Sequence, residues 1–376
     1  MAFVVATYRY HSPDNNLTEA SVQKLAEKIA VGQTLGTNQP EVLARLKDCV
    51  GHVVSVHVES PSVAMFKVAF PTPQVIPADL AMLLSIAFGK VSMLGNLQLL
   101  DLGLPDELAN QFAGPRFGAE GLRRKLNHHD KPFLMSIFKP CVGLSAIELA
   151  GMLEEQAEGG CHLVMDDELL ADANLDTALR RVEACRAAVD RVAEKTGHRL
   201  LYAPHLTGPA HELIPRARKL VQAGAEAFLF SYWCYGLPLL ASIASDDEIA
   251  VPLLGHPALA GAFYGALAQP LLFGLLPRLA GCDLVLSPSP EGNIRLEKTV
   301  VSEMCHQLRK PFGSIKPALP VPSAGIASHM VANLMATYGN DVVINAGTGI
   351  YDHVDGPKAA IHEFLAAMQL SEKVVA

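Results

Sequence analysis

From about residue 133 onward, short apolar runs alternate with amphipathic helical patterns, and this alternation limits the possible folds more than any other property of the chain. The runs are FLMSIFK (133–139), CHLVMDD (161–167), LLYAPHL (200–206), AFLFSYW (227–233), AVPLLGH (250–256), CDLVLSPS (282–289), ALPVPSAG (318–325) and DVVINAGTG (341–349), eight in all. Strands that are apolar along their whole length are buried on both faces, as in a parallel sheet covered by helices. Eight successive βα units over about 245 residues predict a (β/α)8 TIM barrel spanning 126–376.

Residues 1–125 read differently. VVATYRYH alternates, TEASVQKLAEKIAVG carries a Thr/Ser cap and a helical pattern, and HVVSVHVE with AMFKVAFP forms a hairpin. PADLAMLLSIAFG is helical again and LQLLDLGL is a strand. The order β-α-β-β-α-β predicts a ferredoxin-like α+β domain before the barrel, an α/β chain overall.

Only 18% of the 376 residues are charged and 50% are hydrophobic. That excludes a disordered chain, a coiled coil and a collagen-like fibre. A net charge of -8 argues against a nucleic-acid binder that works through a basic surface. The longest charge-free stretch, Ile249 to Pro277, is long enough to cross a bilayer, but four prolines and four glycines chop it into pieces. It reads as the fifth strand, a loop and a Leu-rich helix. MAFVVATYRYHSPD has no basic segment or small-residue cleavage site, so no secretory signal is expected. Seven widely spaced cysteines without a CxxC pair suit a reducing compartment, the cytoplasm by default. The apolar excess predicts an obligate homodimer.

Reacting groups in such barrels lie at the C-terminal strand ends. There the sequence places Lys139-Pro140-Cys141, Asp166-Asp167-Glu168, His205, His256, Ser323-Ala324-Gly325 and Gly347-Thr348-Gly349. Three consecutive carboxylates repel one another, so they call either for a cation or for a helix N-terminus. Both readings stand at this point. The glycines after strands 7 and 8 fit a phosphate cradle, or simply tight turns. His205 and His256 are each structural when taken singly, and Lys90 in AFGKVS reads by spacing as a solvated helix-end lysine.

SIFKPCVGLS, GGCHLVMDDE, LLGHP, PVPSAGI and NAGTG occur in the order and spacing of the Rubisco large-chain superfamily. With FGKVS, AGPRFG, LTG and SPSP, the chain most resembles the Rubisco-like proteins of methionine salvage, the 2,3-diketo-5-methylthiopentyl-1-phosphate enolases. The resemblance spans roughly residues 3–368. It implies a homodimer in which the small domain of one subunit closes the barrel mouth of the other. It also implies Mg2+ held by a carbamylated lysine, Asp167 and Glu168. Lys90 matches the base that removes a proton alpha to a carbonyl, Lys139 the lysine beside the reacting carbons, and His256 the strand-5 histidine. Ser323, Gly325, Gly347 and Thr348 fall on the substrate and phosphate loops, and His205 stands where the family has an asparagine.

Several positions depart from that pattern. Met165 replaces the carbamylated lysine, and a thioether cannot supply an anionic oxygen, so Mg2+ should be weakened. Asn38 replaces a tryptophan, and SPSPEGN lacks the lysine that carboxylating Rubiscos use on CO2. The resemblance, with the lysine of FGKVS retained, implies an enolase or isomerase of a phosphorylated ketose-like substrate, and the missing loop lysine argues against a carboxylase. Two other outcomes follow from the same departures. One is a transition-metal site made by His205, His256 and a carboxylate; the other is a non-catalytic dimer that binds a phosphometabolite or a protein partner.

Overall fold

The computed structural model describes residues 2–74 and 78–375. The chain forms two compact units. The first comprises Met1–Phe112 with two later segments, Leu259–Leu276 and Pro311–Ile315. Its strands are β1 (Phe3–His11), β2 (His52–Ser60), β3 (Val63–Pro71) and β4 (Leu97–Gly103), antiparallel in the order β2-β3-β1-β4. Alternation in β1 sends Val4, Ala6 and Tyr8 inward, where Tyr8 stacks on Phe66 at 5.2 Å between ring centroids. Helix Glu19–Gly32 starts at a Thr18–Ser21 capping box and buries Val22, Ala26, Ile29 and Ala30 against the sheet side of the unit. After a short helix, Pro40–Arg45, the second long helix runs Leu80–Phe88 under an Asp79 cap; Pro77, the expected start of its segment, lies outside the described residues. The ferredoxin-like order expected from the sequence is therefore present.

The two later segments complete this unit. Leu267 bridges Leu99 on β4, and Leu99 exchanges 2.9 Å backbone hydrogen bonds with Ala266 and Ala268. Ser314 N donates to the Asn110 side chain at 2.5 Å. So the charge-poor stretch, expected as one strand with its loop and helix, does two jobs. It supplies a barrel strand and then an extra edge for the small sheet.

The second unit is Ala113–Ala258, Pro277–Lys310 and Lys316–Ala376. Residues 113–125, assigned to the small domain from sequence, belong here instead. The reason is local: Phe117 and Gly118 donate backbone N–H groups to the buried Asp283 carboxylate at 2.7 Å, and Leu122 packs into the barrel core. All eight expected strands form, each shorter than its apolar run: β5 (Phe133–Ile137), β6 (Leu163–Met165), β7 (Leu201–Ala203), β8 (Phe228–Ser231), β9 (Leu253–His256), β10 (Leu284–Pro288), β11 (Leu319–Ser323) and β12 (Val343–Ala346). They pair in parallel as β12-β5-β6-β7 and β8-β9-β10-β11, and a bridge between His205 and Leu229 joins β7 to β8. The interior is filled by alternate residues, among them Met135, Leu163, Met165, Leu201, Leu254 and Val321. No helix among the described residues is long and apolar enough to cross a membrane.

Candidate active site

Parallel strands deliver their C-terminal ends to one mouth, so the residues following β5, β6, β9, β11 and β12 meet there. The acidic run after β6 turns out to be three residues with three environments. Asp166 is fully buried and satisfied on both oxygens. Its Oδ1 accepts the Tyr202 hydroxyl at 2.7 Å, and its Oδ2 accepts the Arg181 guanidinium and the His205 backbone N–H. Arg181 also grips Asp172 and donates to the Tyr202 hydroxyl at 2.6 Å. This cage is structural.

Asp167 faces the mouth. Its Oδ2 lies 2.5 Å from Lys139 Nζ, and its Oδ1 accepts the Leu169 N–H at 3.0 Å. Burial alone would raise its pKa, but the Lys139 and Leu169 hydrogen bonds outweigh burial and hold the carboxyl below its ordinary range. Lys139 mirrors it: burial favours the neutral amine, while Asp167 and Cys141 hold the ammonium. The Cys141 sulfur lies 3.1 Å from the same nitrogen.

Glu168 points to His256, whose Nε2 is 3.4 Å from Oε2. Because His256 Nδ1 accepts the Ala258 N–H at 3.2 Å, the neutral ring carries its proton on Nε2 and offers it to Glu168. Burial pushes the imidazole down to about 4, so it is neutral near pH 7. Burial also raises the Glu168 carboxyl.

His205 is spent inside the protein. Its Nδ1 lies 3.2 Å from the Leu170 carbonyl and its Nε2 3.1 Å from Ser231 Oγ. Expected as a substrate or metal ligand, it has no ring nitrogen left, because the turn after β6 and the end of β8 both claim one. Among the described residues no three His, Cys, Asp or Glu side chains gather as a metal-ligand set. The transition-metal site of His205, His256 and a carboxylate is therefore corrected.

On the other side of β5, Asn345 Nδ2 donates to Ser323 Oγ at 2.9 Å, tying β12 to β11. Gly325 has φ +81°, and a Cβ there would collide with the Asn293 side chain 2.2 Å away, so glycine is required. Gly347 is a close approach of another kind: a Cβ there would stand 3.2 Å from Lys139 Cε, so the lysine stem would have to give by a few tenths of an ångström. The lysine stem passes over this glycine, and exposed Thr348 follows it. Lys90 lies in the first unit, exposed at the start of a short 3-10 turn after Gly89. With Lys28, Gly32 and Asn38 it lines a cavity of about 490 Å³ within that unit.

The Mg2+ implied by the resemblance can be tested on these donors. Mg2+ requires near-octahedral oxygen coordination. Met165 is wholly buried among core side chains and offers no oxygen. Asp166 is consumed by its cage, and Asp167 Oδ2 holds an ammonium. Glu168 alone remains, beside an imidazole N–H. The residues present do not fit the ion.

Sequence reasoning missed the Arg181–Tyr202–Asp166 cage and the contact of Cys141 with Lys139. Arg181 did leave a signal, since it falls on the apolar stripe of helix Leu175–Thr196 with Ala178, Val182 and Cys185. A charge in such a stripe needs a buried partner.

Residues 118–269 match the catalytic domain of the ribulose bisphosphate carboxylase large chain. The chain is 40% identical to 2,3-diketo-5-methylthiopentyl-1-phosphate enolase of Geobacillus kaustophilus, over 98% of this chain and 92% of that protein. It superposes on the crystal structure of a rubisco-like protein (MtnW) from Alicyclobacillus acidocaldarius with a TM-score of 0.91 and 40% identity, covering 99% and 94% of the two chains. Octameric Rubisco from Pyrococcus horikoshii shares the fold, with a TM-score of 0.89 at 24% identity over 100% of this chain and 89% of that one. The chain belongs to the Rubisco large-chain family, among its Rubisco-like enolases rather than its carboxylases.

Proposed function

We infer that the protein enolises 2,3-diketo-5-methylthiopentyl-1-phosphate, or a phosphorylated diketone close to it, in methionine salvage. The observation that carries this reading is the Lys139–Asp167 pair at the mouth, beside the glycine loops. A proton next to a ketone is acidic only if the charge left on the ketone oxygen is stabilised, and a fixed ammonium does that. In this reading the substrate phosphate lies on the loops at Ser323, Gly325, Gly347 and Thr348, where backbone N–H groups suit an anion. Lys90 Nζ takes the carbon-bound proton. It comes from the small unit of a second copy, so the working form is a homodimer. His256 holds Glu168 in place through its Nε2–H.

Met165 removes the carbamate from the magnesium site that the family implies, and no step of the reaction runs through that ion. All seven cysteines are free thiols, which supports a cytoplasmic setting. The test is conversion of the phosphorylated diketone by the wild type and by Lys90→Ala. Turnover by the wild type with a loss of roughly 10³-fold in the variant supports the reading. Equal rates for the two proteins refute Lys90 as the base.

A further inference from the structure

We propose that the Lys139 ammonium occupies, in this chain, the place of the divalent cation: it sits on Asp167 and itself holds and polarises the reacting ketone oxygen. The proposal rests on the enolase reading above and deepens it. It begins from a mismatch between neighbours. Asp166-Asp167-Glu168 persists as an acidic run, yet the residue before it, Met165, is a thioether with no exposed surface, packed with Met135, Leu163 and Ala203. The anionic oxygen that would complete a cation's coordination is replaced by a dry apolar contact.

Of the two carboxylates at the mouth, Glu168 faces only the neutral His256 ring, while the Asp167 charge is met by the protein's own ammonium. Asp167 Oδ2 lies 2.5 Å from Lys139 Nζ, a charge-assisted hydrogen bond at the short end of the usual range. The ammonium has three protons. One goes to Asp167 and a second to the Cys141 sulfur at 3.1 Å. The third has no protein acceptor among the described residues, and the side chain keeps 27% of its surface open. Two anchors and one free N–H are what an oxygen-binding electrophile needs: fixed position and an unspent donor.

The stem is also fixed. It passes over Gly347, where any side chain would press on Cε, and that glycine opens the loop proposed to take the phosphate. The neighbouring ends of β5 and β12 thus set the cation and the anion site side by side. In the reaction, the proton leaves carbon for Lys90 Nζ. The electron pair of the C–H bond moves into the new C=C bond, and the carbonyl pair moves onto oxygen. That oxygen accepts the third Lys139 N–H as a hydrogen bond, then takes a proton from solvent to give the enol while Lys90 returns its proton to solvent, so the charges balance without a metal.

The test uses the full-length protein, stripped with EDTA and dialysed, with two readouts. Mn2+ is titrated and its free fraction followed by electron paramagnetic resonance, and turnover of the phosphorylated diketone is measured in EDTA and in excess Mg2+. The proposal expects Mn2+ to stay free at protein-equivalent concentrations and the two rates to agree within about twofold. Lys139→Ala should lose roughly 10²–10³-fold in kcat/KM with no rescue by Mg2+, while Lys139→Arg keeps part of the activity because it keeps the charge. A stoichiometric Mn2+ site abolished by Asp167→Asn would overturn the proposal, as would chelator-sensitive turnover restored by Mg2+. If the wild type turns over no diketone in either medium, the enolase reading fails. The Mn2+ titration then still decides, independently, whether ammonium or metal holds Asp167.

Discussion

Asp166 and Asp167 are adjacent in sequence, and each is matched by a cation, yet the two pairs do different work. Asp166 is enclosed by Arg181, Tyr202 and the His205 N–H, with side-chain exposures of 5% and 0% for the ion pair. Asp167 is equally buried, but its partner Lys139 opens to the mouth with one N–H unspent. A carboxylate whose acceptors are all filled from inside can only support the fold. One whose counter-ion reaches solvent can take part in chemistry. Residue type does not separate the two; the solvent exposure of the cation does.

The comparison can be broken most sharply at Arg181. Arg181→Met leaves Asp166 buried and unpaired, which costs about 3–5 kcal/mol. Denaturant unfolding should show that loss; a change below about 1 kcal/mol would place Arg181 outside the structural framework. Lys139→Ala should behave in the opposite way. It removes roughly 10²–10³-fold of kcat/KM but only about 1 kcal/mol of stability, since water replaces the ammonium at an open site. A large stability loss with intact turnover would merge the two pairs into one class.

A smaller effect sharpens the contrast between mouth and barrel bottom. His162, at the N-terminal end of β6, accepts the Leu134 N–H and lies 4.2 Å from His128 between ring centroids. Burial pushes it down to about 3. The folded state therefore binds fewer protons than the unfolded chain between about pH 6.5 and 3, and stability falls as pH drops through that window. His162→Gln should flatten the acid limb by up to about 1.4 kcal/mol per pH unit, measured as the difference between unfolding curves of the two proteins. An unchanged limb would mean that His162 is not held neutral. Smallest of all, Met165→Leu conserves apolar volume and should cost under about 1.5 kcal/mol with turnover unchanged. A loss of turnover there would give Met165 a part in the chemistry.

The barrel was legible because its strands announce themselves as unbroken apolar runs, and the small domain because β1 alternates and its first helix carries a cap. What escaped the sequence depends on contacts between distant elements. Nothing local in Leu259–Leu276 says that Leu267 will bridge Leu99, and residues 113–125 join the barrel because Asp283, far along the chain, accepts their N–H groups. At the site, positions could be read but pairings could not. Asp167 and Lys139 were both picked out, each for a different partner; only the structure puts the ammonium on the carboxylate. His205 looked available until Leu170 and Ser231 were seen to take both of its nitrogens.

The central claim is that this mouth removes a proton next to a ketone with lysines alone. Proton NMR of the phosphorylated diketone in D2O, with chelator-treated protein, reads that step directly. The account predicts loss of the signal alpha to the ketone and appearance of the enol in the wild type, with neither seen in Lys90→Ala or Lys139→Ala. A signal that persists in the wild type until Mg2+ is added would contradict it.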